Sequence, residues 1–300
     1  MKTNSITFGI TTYIKDNNRL EYLYSCIDSI TKQSDPNWEL LIYNDNSTVY
    51  IDISKFNDNR IKLFKWEANI WMFNWWNFLL NEAKADYFIP MWDDDIVTND
   101  YVKICREILN SNISINAIYT DISEIDECWI VTNSHVTSNL NEWLNLAWYE
   151  FLNNRILNSF KNQNTFFCSL INRNKLLSFW WYNNFWNITD VYISYLIAEN
   201  LNVFYIKSPI IKIRKHSGNA SNNFSKLFSE KKILINVALN KFNNISPEAK
   251  LYLQNQIKYI DIKILFYKNL YIITLFTKKI KIYKLVSYLW RKFILNNFKN

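Results

Sequence analysis

Three hundred residues with 49% apolar side chains and a formal net charge of +7 describe one large domain with an appendage, and exclude wholesale disorder. Cys26, Cys105, Cys128 and Cys168 lie far apart, with no CxxC and no neighbouring histidine, so reduced thiols in a cytosolic chain are expected rather than a disulfide framework or a zinc site. The N-terminus carries one lysine, Lys2, and no long apolar run, so no signal peptide is expected.

Short apolar runs between polar turns recur along the body: Ile6–Ile10, Leu40–Tyr43, Ile61–Phe64, Tyr87–Met91, Ala117–Tyr119, Phe166–Ile171 and Val203–Ile206. Continuous runs of this length suit strands buried on both faces. Leu20, Leu23, Ile27 and Ile30 repeat at helical spacing between the first two, and Val102, Cys105 and Leu109 do so after Asp95. Strand–helix–strand alternation predicts an α/β fold with a mainly parallel sheet. Such a sheet presents ligand sites beyond the carboxyl ends of its strands, so the loops that directly follow strands hold the candidate residues.

Thr11-Thr12-Tyr13 follows the first strand and offers backbone N–H groups and a ring to a nucleobase or a phosphate; a plain turn is the competing reading. No GxGxxG accompanies it, which disfavours a dehydrogenase-type dinucleotide site. Asn44-Asp45-Asn46-Ser47 follows the second strand, where a carboxylate can accept from a base N–H or close an Asx turn. Trp92-Asp93-Asp94-Asp95 follows the fourth. Three adjacent carboxylates at the end of an apolar strand repel one another, and a hard divalent cation, Mg²⁺ or Mn²⁺, removes that repulsion and clamps a diphosphate. Thr189-Asp190 opens a helical pattern, where an ionised Asp is either a cap or a general base. Arg214-Lys215-His216-Ser217-Gly218 follows the last strand-like run and offers donors to phosphate, or is a basic surface turn.

In this order the loops resemble the family 2 glycosyltransferases, inverting enzymes of the GT-A fold that use nucleotide-diphospho-sugars. Residues Ser5 to Tyr13, Trp38 to Ser47, Asn69-Ile70-Trp71 with Asn77, and Ala85 to Asp95 carry the likeness, with Thr189-Asp190 and Arg214-Lys215-His216 matching the acceptor half. The resemblance implies a Rossmann-like, mainly parallel mixed sheet flanked by helices over residues 1–225. It implies that Thr11, Tyr13 and Asp45 hold the nucleoside, that Asp93 and His216 lie at the nucleotide-sugar, that Asp94 and Asp95 ligate Mg²⁺ or Mn²⁺, and that Asp190 deprotonates the acceptor hydroxyl. Two departures stand out: Asn44 replaces the usual first Asp of its turn, and Trp92 replaces the first Asp of a DxD. A catalytically degenerate GT-A scaffold or sugar binder is the alternative.

Residues 226–300 form a basic region expected to be helical and amphipathic. Within it, 251–300 carry a net charge of +9, against −2 for residues 1–250. The longest uncharged run, Asn269 to Thr277, is nine residues, too short to span a bilayer at about 20 residues. Contact with the anionic inner face of the cell membrane and packing on the body as a cap both fit; nucleic acid is disfavoured. Membrane contact makes a glycan or lipid-linked acceptor, and a part in cell-envelope polysaccharide synthesis, the matching expectation.

The chain has 2 glycines and 13 tryptophans, where a usage of about 7% gives roughly 21 glycines. Trp71 stands where the family has an Asn-x-Gly, and Trp180-Trp181 where it has a Gly-Gly before the catalytic acid. Glycine serves such positions through left-handed backbone or close approach. Several tryptophans are therefore expected to be glycines in the cell, encoded by UGA codons that some bacterial lineages read as glycine; a natively tryptophan-rich chain is the alternative.

Overall fold

The computed structural model describes residues 4–66, 72–134, 143–144, 169–178, 193, 196–197, 200–216, 232–233, 235–240 and 245–261. Strands β1 (Ile6–Thr12), β2 (Trp38–Asn44), β3 (Ile61–Lys65) and β4 (Tyr87–Trp92) lie parallel in the order β3-β2-β1-β4. Every residue of β1 is buried, as a continuous apolar run in the middle of a covered sheet requires. Gly9 is where β1 and β4 touch most closely: a Cβ there would lie 2.4 Å from the ring of Phe88.

Helix α1 (Asn17–Thr31) crosses over from β1 to β2. Asp16 starts it, its carboxylate accepting from the Arg19 amide at 2.9 Å, and Leu23, Cys26, Ile27 and Ile30 form the buried stripe at helical spacing. Helix α2 (Met72–Glu82) connects β3 to β4. Strand β5 (Ile96–Val97) and helix α3 (Tyr101–Ser111) follow, and α3 buries Tyr101, Val102, Cys105 and Leu109. Gln33, just beyond α1, joins the two helices: its amide donates to the Thr98 carbonyl at 2.7 Å and accepts from the Val102 amide at 2.9 Å.

The second part of the sheet is mixed. Strand β6 (Ala117–Ile125) pairs in parallel with the long β10 (Val203–Arg214), and the short β9 (Leu170–Asn172) lies antiparallel between β4 and β6. Strands β7 (Val131–Asn133) and β8 (Trp143–Leu144) are antiparallel additions, and helix α4 (Arg173–Ser178) follows β9 directly. All seven runs expected to be strands contain one, and the mainly parallel mixed sheet is the one expected; of the run Phe166–Ile171, residues 166–168 lie outside the described residues.

Ile235, Ala238, Ile245, Ala249, Leu253 and Ile260 belong to the same buried apolar cluster as the sheet, and residues 247–261 are helical. The first part of the basic region therefore packs on the body. Residues 262–300, which hold eight of its fourteen lysines, lie outside the described residues. Among the described residues no helix is long and apolar enough to cross a membrane.

Candidate active site

The carboxyl ends of β1, β2, β4 and β10 meet at one place. Asp45, just after β2, donates its amide to the Thr12 carbonyl at 2.9 Å, which ties the β2 loop to the end of β1. Asn44 keeps the turn that the usual Asp would make: its side-chain oxygen accepts from the Ser47 amide at 2.9 Å, and the Ser47 hydroxyl accepts from the Ile14 amide at 2.7 Å. The replacement of Asp by Asn at 44 thus leaves the turn intact. Asn46 takes the left-handed conformation at φ 57°, which asparagine tolerates.

Asp45 is fully buried. Burial and the Asp45 charge push the Tyr43 phenol up to about 12, so Tyr43 stays a neutral hydroxyl at any working pH. The Thr11 hydroxyl is buried with no hydrogen-bond partner, and Tyr13 is half-exposed with the Lys15 ammonium 4.9 Å from its ring centre. These three residues, expected to hold a nucleoside, line the ends of two adjacent strands.

The triple-Asp run is buried and threaded with donors. Asp93 accepts from the Thr12 hydroxyl at 2.6 Å and from the Arg19 guanidinium at 2.5 Å. Asp94 accepts from the other Arg19 terminal nitrogen at 3.1 Å, and its same oxygen, Oδ2, lies 2.8 Å from His216 Nε2. Asp95 accepts from the Arg214 amide at 3.2 Å. Burial is the largest influence on Asp93 and pushes its carboxyl up to about 6, against the Arg19 charge and with the help of the Asp94 charge. Burial also pushes Asp94 up, but the His216 hydrogen bond and the Arg19 charge outweigh it and hold the carboxyl below the usual range.

His216 lies beside the carboxylates, with its ring 5.7 Å from that of Tyr22. Arg214 differs from expectation. It is fully buried, donating to the carbonyls of Asp94 and Asp126 at 3.2 and 3.0 Å, with its guanidinium over Tyr22 and Trp129 at 4.4 and 3.7 Å. It braces the Asp loop from below instead of standing ready for a phosphate. Lys215 pairs with Glu124 at 3.3 Å. Asp190, Asn69, Trp71, Trp180 and Trp181 lie outside the described residues. Asn77, on α2, keeps a buried side-chain oxygen without a partner.

Two residues of this network escaped the sequence reading. Both sit on the first turns of α1: Arg19 reaches Asp94 75 positions away, and the Tyr22 ring meets Arg19, Arg214 and His216. A cation in the first turn of a helix opposes the macrodipole, and that misfit was the available signal for Arg19.

The donor set of the Asp loop suits a hard cation. Among the described residues the hydrogen bonds of Asp94 fall on Oδ2, and a carboxylate oxygen such as its Oδ1 is of the kind Mg²⁺ or Mn²⁺ takes. Among the described residues, no group of three or more His, Cys, Asp or Glu side chains is arranged to hold a metal ion by itself. A cation here would complete its shell from a bound diphosphate and water.

The architecture defines a GT-A protein: a parallel half joined to a mixed second half, with an acidic loop at the strand ends. The chain belongs to glycosyl transferase family 2, a family of enzymes, whose model matches residues 9–178. A Haemophilus influenzae protein described as an uncharacterized glycosyltransferase is 30% identical over 135 residues, covering 43% of this chain and 41% of that relative's length. Among solved structures, S. aureus TarS 1-349 superposes with a TM-score of 0.64 at 12% identity, over 86% of this chain and 72% of TarS 1-349. The same protein in complex with UDP-GlcNAc gives 0.62 at 13% identity, over 85% of this chain and 71% of that one. At such identities the likeness is one of fold.

Proposed function

We propose that this chain transfers a sugar from a nucleotide-diphospho-sugar to a hydroxyl of a glycan or lipid-linked acceptor, with inversion at the anomeric carbon. The observation that carries the reading is the single network Thr12–Asp93–Arg19–Asp94–His216, which brings loops from three strands to one cleft beside buried Asp45. Family membership supports the reaction class, and the TarS complex with UDP-GlcNAc supports the donor class.

In this reading Thr11, Tyr13 and Asp45 bind the nucleoside: the Asp45 carboxylate accepts from a base N–H, and the Tyr13 ring offers a face to stack on. Asp94 and Asp95 hold a divalent cation, which when bound neutralises charge developing on the departing nucleoside diphosphate. His216 lies beside them, within reach of the diphosphate. Asp190 takes the proton of the acceptor hydroxyl as its oxygen attacks from the face opposite the leaving group, a contribution of about 10²–10⁴-fold. One displacement without a covalent intermediate inverts the centre. With donor and acceptor bound, the site would exclude the water that hydrolyses the donor.

The test is release of nucleoside diphosphate from a panel of sugar donors, UDP-GlcNAc first, with Mg²⁺ or Mn²⁺ and with EDTA. Asp190→Asn is expected to lower kcat by at least 10²-fold while donor affinity stays within about twofold. Turnover like that of the unaltered chain would remove Asp190 from the role, and activity undiminished by EDTA would remove the cation.

A further inference from the structure

We infer that Arg19 is a built-in counter-cation that competes with the divalent metal for Asp94, neutralising that buried carboxylate until metal and donor arrive. The inference rests on the proposed metal role of Asp94 and Asp95 and adds a residue to it.

Three observations support it. First, one guanidinium spans both acids: one terminal nitrogen on Asp93 at 2.5 Å, the other on Asp94 at 3.1 Å. The guanidinium thus supplies positive charge to Asp94, the one carboxylate it shares with the proposed metal site. Buried carboxylates without compensation are costly, so a site that must accept a metal needs a substitute while the metal is away.

Second, the contacts around Asp94 conflict. Arg19 approaches His216 Nε2 at 2.8 Å, and that same nitrogen lies 2.8 Å from Asp94 Oδ2. An imidazole nitrogen carries either a proton or a lone pair. If Nε2 accepts from Arg19 it has no proton for Asp94; if it donates to Asp94 it faces a second donor in Arg19. One of the three contacts must yield, and Arg19 has the longest reach.

Third, Arg19 stands on a rigid base with a mobile head. Its backbone amide is held by the Asp16 cap, while its side chain is 26% exposed against 6% and 8% for its two partners. The Asp93 carboxylate is held by the Thr12 hydroxyl and the Asp94 backbone by Arg214, so the more exposed guanidinium is the member that can leave. Its long side chain can then turn toward the open cleft, where the donor's diphosphate offers it new acceptors.

The test measures Mn²⁺ binding alone, by electron paramagnetic resonance of the free ion, with melting temperature in EDTA and in Mn²⁺ as a second readout. Arg19→Gln is expected to bind Mn²⁺ at least tenfold tighter than the unaltered chain. It should melt lower in EDTA and recover in Mn²⁺. Arg19→Lys keeps the charge but loses the two-toothed bridge, and should lie between; it serves if the glutamine variant does not fold. Mn²⁺ affinity unchanged or weaker in both variants would overturn the competition and leave the transferase reading standing. Should Asp94→Asn leave Mn²⁺ binding unaltered, both the metal role and the inference built on it would fall.

Discussion

Trp129 shows at a single residue how the tryptophan excess bears on structure. It sits in the β6–β7 turn at φ 68°, and the other non-glycine residues in the left-handed region are Asn4, Asn46 and Asn57 among the described residues. Its amide donates to the Asp126 carbonyl at 3.2 Å, the geometry of a tight turn ending in a left-handed residue, where glycine is the usual occupant. A bulky side chain there costs about 1–2 kcal/mol, against about 0.5–1 returned by the ring's contact with Arg214. Trp129→Gly is therefore expected to raise stability by up to about 1 kcal/mol in a denaturant titration. Sequencing of the coding DNA should show TGA at codon 129; a TGG there would sink the recoding idea at this position. Gly9 provides the contrast: with the Phe88 ring 2.4 Å from any added Cβ, it is a position where only glycine fits. Trp38, 4% exposed on β2 with the Arg60 guanidinium 3.6 Å from its ring, is packed as a true tryptophan.

Helices α1 and α3 depend on a polar joint as well as on their apolar faces. Asp35, in the α1–β2 connection, accepts from the Asn37 amide and side chain at 2.9 and 2.7 Å and forms an ion pair with Arg106 of α3. Burial raises the Asp35 carboxyl, but the Asn37 hydrogen bonds and Arg106 outweigh it and lower it below its ordinary value. The folded chain then binds fewer protons here than the unfolded one. The stabilisation is fully present above the unfolded value of about 3.9 and is lost as pH falls through the lower folded value. Asp35→Asn should cost about 1 kcal/mol near neutrality, and the gap from the unaltered chain should narrow as pH falls below about 4. A gap that does not narrow on acidification would show that the contribution is not the charge.

At the scale of the whole molecule, the basic region divides. Ile235, Ala238, Ile245, Ala249, Leu253 and Ile260 supply side chains to the central core. The lysines gathered beyond residue 261 leave the membrane proposal to that last stretch. At about 1 kcal/mol per Lys near an anionic surface, the full chain should bind vesicles containing phosphatidylserine or phosphatidylglycerol and release them as salt rises. A chain ending at residue 261 should not bind, yet should keep its melting temperature within a few degrees. Equal binding by both would place the membrane contact on the body, and a collapsed melting temperature would make the tail a cap.

The strands, the crossing helices and the acidic loop were legible in the sequence because each rests on local regularity: continuous apolar runs, helical spacing, and carboxylates placed directly after a strand. The family could be read for the same reason, since the order of loops survives without glycine. What the chain order could not show is who compensates whom. That Arg19 neutralises Asp93 and Asp94, that Arg214 is spent on carbonyls, and that His216 meets both a carboxylate and a guanidinium are decided by contacts across 74 to 197 positions. A charge buried in a cleft takes its partner from whatever the sheet brings near, and only the folded chain brings it there.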